Sequence, residues 1–252
     1  MKIKIVRRMI RRLLVCTLIV GFVWQSVRVK NEKAMYVPQG EYVDLKAYQA
    51  HVYSKGQGDV TICFISGSGT PCAYTDFFML QNKLTDRGQT ITFDHAGSGW
   101  SDGTQMPRTI DNLVGELSEL LDTIAPDKSV IFICHSLGSL EAIGYAQMNP
   151  EKVKGIVFMD SGSPEFYSTD SELLAKAMNR GIAFIRSFGI ARLLGNLGIL
   201  LPVYGEDDRN AKLSGMMKEL DKAMYYRYAG NSSTLSNIKW MNENAKQVLE
   251  GP

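Results

Sequence analysis

Residues 129–140 read SVIFICHSLGSL, and the reading of this stretch decides the fold. Residues 130–134 form a short continuous apolar run, as expected of a buried parallel strand. His135, Ser136 and Leu137 then make a sharp turn, and Gly138 opens a helix expected to reach about Asn149. A strand, a tight turn bearing a serine and a helix are the parts of a nucleophile elbow. The pattern is C-H-S-L-G, with Cys134 where G-x-S-x-G has its first glycine. Cysteine is small and readily buried, so close packing of helix on strand is still possible.

Outward from the elbow the chain alternates strand and helix in the βαβ manner. Strands are expected at 42–45, 50–53, 60–65, 89–93 and 153–159, the last ending at Asp160. Residues 77–86 read as a helix. So do 108–124, where Ile110, Leu113, Val114, Leu117, Leu120, Leu121 and Ile124 recur at intervals of three and four. The loop S-G-S-G-T-P at 66–71 is not a phosphate loop, because no G-K-[ST] follows, and it lacks the spacing of a dinucleotide fingerprint. Its backbone N–H groups suit one arm of an oxyanion hole, with Ser68 N–H joining that of Leu137 just after the serine. The plain alternative is a turn with no chemical role.

Together these pieces resemble the α/β-hydrolase superfamily, in particular its bacterial branch with a helical cap. The resemblance rests on IS-GSG at 65–69, FDHAGSGWSD at 93–102, PRT at 107–109, CHSLGS at 134–139 and P-EKVKGIVFMDSG at 150–162. It covers roughly residues 42–165. It implies an α/β fold with a mostly parallel sheet, and a loop at 93–102 beside the mouth of the site. It also implies that Ser136 is the nucleophile of an ester-hydrolysing reaction passing through an acyl-enzyme. Epoxide and haloalkane chemistry is disfavoured, since those branches carry aspartate at the elbow.

After residue 163 the alternation stops. Helical segments are expected near 170–180, 182–200 and 210–228, broken by Pro202 and a polar turn at 205–210. Their apolar content, from Met178 through Leu200, suits a cap lining for a small apolar ester or acyl substrate, plain packing of cap on core, or association of this surface with lipid beside the anchor. Tyr204, Tyr225, Tyr226 and Tyr228 are candidates to face a pocket. A final helix is expected at about 234–249. The resulting division is an N-terminal anchor or signal at 1–30, the core at 31–164, the cap at 165–232 and a last core helix at 233–252.

The chemistry then meets a gap. A serine nucleophile needs a base, normally histidine, and an acid to orient it, in the order serine, acid, histidine in this superfamily. The histidines are His51, His95 and His135, and none follows Ser136. This pattern reads as a hydrolase lacking its last strands and its late histidine, hence weak or inactive. A non-catalytic binding protein at the cell surface is the competing reading. In a third, His95 serves as substitute base, with Asp160 as the possible acid. His51 reads as a surface residue, Asp94 as a loop-structuring acid, and Glu141 as lying down the helix away from the mouth.

Composition narrows the partners. The formal charge is +2, and four of the basic residues lie in RRMIRR at 7–12. The remainder is close to neutral, which gives no electrostatic basis for nucleic-acid binding. Cys16, Cys63, Cys72 and Cys134 form no CxxC or Cys/His ligand pattern, so neither a metal nor a cofactor is expected. Residues 13–27 carry no charge. That is about 15 residues, short of the ~20 typical of a spanning helix, although snorkelling of Arg11 and Arg12 extends it. We read the segment as an uncleaved signal anchor holding the body outside the cytoplasm. A cleaved signal with a secreted body fits the length, but no A-x-A-like site follows. A cytosolic amphipathic helix is the remaining alternative.

Overall fold

The structure is a computed structural model and describes residues 2–199, 213 and 215–251. Leu200, Pro202, Tyr204 and the expected turn at 205–210 lie outside the described residues. Helix α1 (Lys2–Met35) precedes strands β1 (Glu41–Asp44), β2 (Gln49–Lys55) and β3 (Val60–Ile65). Then come α2 (Ala73–Leu84), β4 (Gln89–Phe93), α3 (Ile110–Ile124), β5 (Ser129–His135), α4 (Gly138–Met148) and β6 (Val153–Met159). The last part holds α5 (Pro164–Thr169), α6 (Glu172–Ser187), α7 (Ile190–Asn196), α8 (Gly215–Tyr228) and α9 (Ser232–Glu250).

The strands form one sheet in the order β1-β2-β4-β3-β5-β6. β1 and β2 pair antiparallel, and β2 pairs antiparallel with β4, while β3, β4, β5 and β6 run parallel. β3 and β5 are central and buried on both faces, which is why their sequences are near-continuous apolar runs. Their side chains alternate between two layers. Cys63, Ile65, Phe132 and Cys134 face α3, α4 and α9, whereas Ile62, Phe64 and Ile133 face Phe77 on α2. Among the described residues β6 has no strand on its outer side.

Three elements differ from the sequence reading for identifiable reasons. α2 begins four residues early, at Ala73, because Asp94 Oδ1 accepts its backbone N–H at 2.7 Å. A cap supplied from twenty-one residues away has no local signature. α3 starts at Ile110 rather than 108. Arg108 is turned inward to a bidentate pair with Glu116, both bonds 2.7 Å, and Asn244 on α9 caps this entry by accepting from Ile110 N–H at 2.8 Å. The helix expected over 182–200 is broken at Gly189, whose φ of +71° is left-handed and ends α6.

Helix α1 continues to Met35, beyond the expected limit at 30. It is long and apolar enough to cross a membrane by length and composition. Among the described residues, no apolar side chain of 165–199 lines the cleft beside the Ser136 turn. Leu173, Leu174, Met178, Phe184 and Leu197 are exposed instead.

Candidate active site

Ser136 lies at the carboxyl end of β5, at the junction with α4, with φ of +49°. A left-handed serine is strained, and such residues persist where the surrounding structure fixes them. Its N–H donates to Met159 O at 3.2 Å on β6, and its carbonyl accepts from Ser139 N–H at 3.1 Å in the first turn of α4. Two glycines make the turn possible. A Cβ on Gly138 would lie 2.8 Å from Ser66 O, and one on Gly67 would lie 2.9 Å from Ser136 Cβ. Cys134 fills the position of the missing glycine without exposure, and burial pushes its thiol up to about 11 against opposing hydrogen bonds that include Ser161.

The loop after β3 runs over this turn. Ser68 and Leu137, the two expected oxyanion donors, line one small cleft of about 40 Å³ together with Ser66, His95 and Glu141. Ser233 and Thr234, at the start of α9, close its other side. Hydroxyl and amide side chains supply half of the lining residues. Asn231 caps α9 by accepting from Thr234 N–H at 2.8 Å, and its amide donates to Gly97 O at 2.6 Å, so the 93–102 loop and α9 form one rim.

Asp94 organises that loop, as its sequence context suggests. It accepts from Ala73 N–H and Trp100 N–H, and meets His51 Nδ1 at 2.8 Å. His51 is therefore not a surface residue. It is buried, with its other nitrogen 2.6 Å from Gln39 O, because the strand pair that carries it is covered by Trp100 and the segment before β1.

His95 enters the cleft, but not toward Ser136. Its Nε2 is 2.8 Å from Glu141 Oε2 and its Nδ1 is 3.2 Å from Ser66 Oγ. An ionised carboxylate only accepts, so the consistent tautomer has the proton on Nε2, and Nδ1 accepts from the Ser66 hydroxyl. Glu141 is buried at the cleft wall, contrary to its expected position down the helix. It lies at i+5 from Ser136, and the start of α4 is close enough to the cleft for a long side chain to reach back. Asp160 ends β6 with φ of +45° and is exposed. With both nitrogens of His95 already engaged, Asp160 does not orient it. Among the described residues Ser136 Oγ has no hydrogen-bond partner, and no group of three metal-ligating side chains occurs.

Comparison with known proteins places this geometry. The family model described as Serine aminopeptidase, S33 matches residues 56–220. The uncharacterized protein YbdG of Bacillus subtilis is 26% identical over 233 residues, covering 92% of this chain and 70% of that protein. A cis-3-alkyl-4-alkyloxetan-2-one decarboxylase of Shewanella oneidensis is 28% identical over 131 residues, covering 51% of this chain and 40% of the relative. Among solved structures, a thermophilic esterase from Thermogutta terrifontis shares the fold with a TM-score of 0.59 at 16% identity, over 81% of this chain and 73% of the esterase.

Proposed function

The chain belongs to the serine aminopeptidase S33 family of hydrolases, within the α/β-hydrolase superfamily, and from that premise we propose that it carries a hydrolytic site for small carboxylic esters with Ser136 as nucleophile. The observation that supports this most is the left-handed Ser136, held at the end of the central strand β5. Attack by its Oγ on an ester carbonyl, with the hydroxyl proton passing to solvent, would form a tetrahedral oxyanion. This collapses to an acyl-enzyme as the alcohol leaves, and water then releases the acid. The backbone N–H groups of Ser68 and Leu137, which line the cleft next to the Ser136 turn although Ser136 itself is not among the lining residues, are the donors for the oxyanion in this reading. The cleft is small, which favours a short acyl group over a long one, and no apolar residue of 165–199 lines it. Turnover by this chain is slow in this reading, because His95 is committed to Ser66 and Glu141. Helix α1 would tether the body to a membrane.

A second reading has its own observation. Glu141, His95 and Ser66 form a carboxylate, imidazole and hydroxyl in sequence, which is the arrangement that activates a serine. Ser66 would then be the attacking hydroxyl. A fluorophosphonate probe and p-nitrophenyl acetate distinguish the readings when applied to the full chain and to its Ser136→Ala, Ser66→Ala and His95→Ala variants. The first reading expects covalent label on Ser136 and slow turnover that survives His95→Ala. Label on Ser66 that disappears with His95→Ala transfers the role to the second. Absence of label on both serines refutes hydrolysis by either, and specific capture of a protein partner would then favour the binding-protein alternative.

A further inference from the structure

Helix α1 changes surroundings along its length. Ile3, Ile10, Leu13, Leu14 and Val20 are exposed, and from Gly21 onward one face of the helix lies against α6, α7 and α8 while Phe22, Val23 and Val27 remain exposed. Gly21 sits directly on the Phe188 carbonyl, where any side chain would collide. A Cβ on Gly189 would fall 2.9 Å from the Trp24 ring. Phe22, Phe188 and Phe184 form a row, with ring centroids 6.4 Å and 4.8 Å apart. One turn further, Gln25 donates to Tyr226 O at 2.6 Å and accepts from Arg192 Nε at 2.8 Å. Arg192 also grips both carboxylate oxygens of Glu32 and stacks over Tyr226.

These contacts fix the level of the cap relative to α1. The uncharged run ends at Val27, immediately before Arg28. At a rise of ~1.5 Å per residue, Gly21 lies about 9 Å, and Phe22 about 7.5 Å, inside that end. The run itself spans only about 22 Å against a hydrocarbon thickness of ~30 Å. A spanning α1 therefore draws residues 21–24 into the apolar zone, and the corner between α6 and α7 is packed on those same residues.

The corner is chemically fit for that depth. Three of its backbone N–H groups are satisfied internally: Phe188 N–H donates to Phe184 O at 3.2 Å, Gly189 N–H to Arg186 O at 3.0 Å and Leu193 N–H to Gly189 O at 2.9 Å. Phe184 is half exposed. Arg28, Lys30 and Lys33 follow on α1 above this level, and Arg186 and Arg227 adjoin on α6 and α8, joined by a hydrogen bond from Arg186 to Arg227 O. A belt of cations just outside an apolar wedge complements anionic headgroups.

We propose that the α6 to α7 corner, led by Phe184 and Phe188, inserts into the lipid leaflet on the body's side of the membrane, beside α1. The protein then touches the bilayer through two elements, and the Gln25, Arg192 and Glu32 contacts set the depth of the second. This inference rests on the reading of α1 as a membrane helix, and the test separates the two. The full chain carrying Cys16→Ser is reconstituted in phosphatidylcholine and phosphatidylglycerol vesicles; Cys63, Cys72 and Cys134 are buried. Single spin labels are placed by Leu14→Cys, Phe184→Cys, Ser187→Cys and, as a solvent reference, Met148→Cys. Collision with dissolved oxygen is compared with collision with a water-soluble nickel chelate. Labels at 14, 184 and 187 are expected to favour oxygen, and the label at 148 the chelate. A lipid-like label at 14 with water-like labels at 184 and 187 overturns the inference and leaves the anchor standing. A water-like label at 14 removes both. Dipolar broadening at 184 with low access to either reagent shows a second copy covering the corner, which also overturns it. The label at 187 provides the same reading if the substitution at 184 disturbs the fold.

Discussion

Replacing Arg108 with methionine should unfold the protein far more readily than any surface change. Arg108 and Glu116 are both buried and joined by two bonds of 2.7 Å. Burial works against the guanidinium's charge, but the bonds to Glu116 prevail and hold its pKa above the ordinary value. Methionine keeps much of the aliphatic volume and leaves the Glu116 carboxylate desolvated without a cation. Breaking one side of a buried pair costs ~3–5 kcal/mol. With a urea m-value near the top of the ~1–3 kcal/mol/M range, that lowers the unfolding midpoint by about 1–2 M. Removing both charges as Arg108→Met with Glu116→Leu should recover most of the loss, because the penalty lies in the orphaned charge. The assay is urea unfolding of the full chain in detergent micelles, followed by tryptophan fluorescence and far-ultraviolet circular dichroism. A loss below about 1 kcal/mol for the single variant would refute the reasoning, as it would mean the carboxylate reaches water. A double variant no more stable than the single would refute it equally.

Two further outcomes follow from the elbow. Gly67→Ala puts a methyl 2.9 Å from Ser136 Cβ and 3.1 Å from His135 Nδ1; a displacement near 1 Å should cut fluorophosphonate labelling of Ser136 by about 100-fold, with the circular dichroism spectrum unchanged, and undiminished labelling would show that the loop yields freely. Cys134, pushed up to about 11 by burial, stays a neutral thiol in the folded protein at pH 8. Iodoacetamide should then modify it only after unfolding in urea, read by mass spectrometry, and rapid alkylation of the native chain at pH 8 would contradict the assignment. The same shift means that raising the pH through the unfolded thiol's range, ~8.5, toward 11 lowers stability, since the unfolded state ionises first.

Much of the sheet was legible because its signals are local. The runs at 60–65, 89–93 and 153–159 coincide with β3, β4 and β6, and the elbow follows from a buried strand meeting a small-residue helix start. The site was legible only in part. Ser68 and Leu137 line one cleft, but Ser136 is not among its lining residues, and the partners of His95 were not foreseen. Glu141 gives no sign of its role in sequence: five residues after a serine on a helix, it could face anywhere, and only the close approach of α4 to β3 through Gly138 turns it to the cleft. The burial of His51 depends on Trp100 and Gln39 folding over it, a tertiary event. The docking of α1 was equally hidden, although Gly21, Gln25 and Glu32 in an otherwise apolar and basic helix are a usable signal. Their four- and seven-residue spacing places them along one face.

β6 has a kinetic consequence. Among the described residues no strand pairs with its outer edge, and Val157 and Phe158 on it are half exposed, at 49% and 53%. Its sequence, VKGIVFM, has one lysine and no proline to discourage a new strand from docking. Were α1 to hold chains in a common plane, encounters between such edges would no longer be diluted by three-dimensional diffusion. Nucleation of strand-to-strand assemblies should therefore accelerate with surface density, at bulk concentrations where the same edges in free solution would seldom meet.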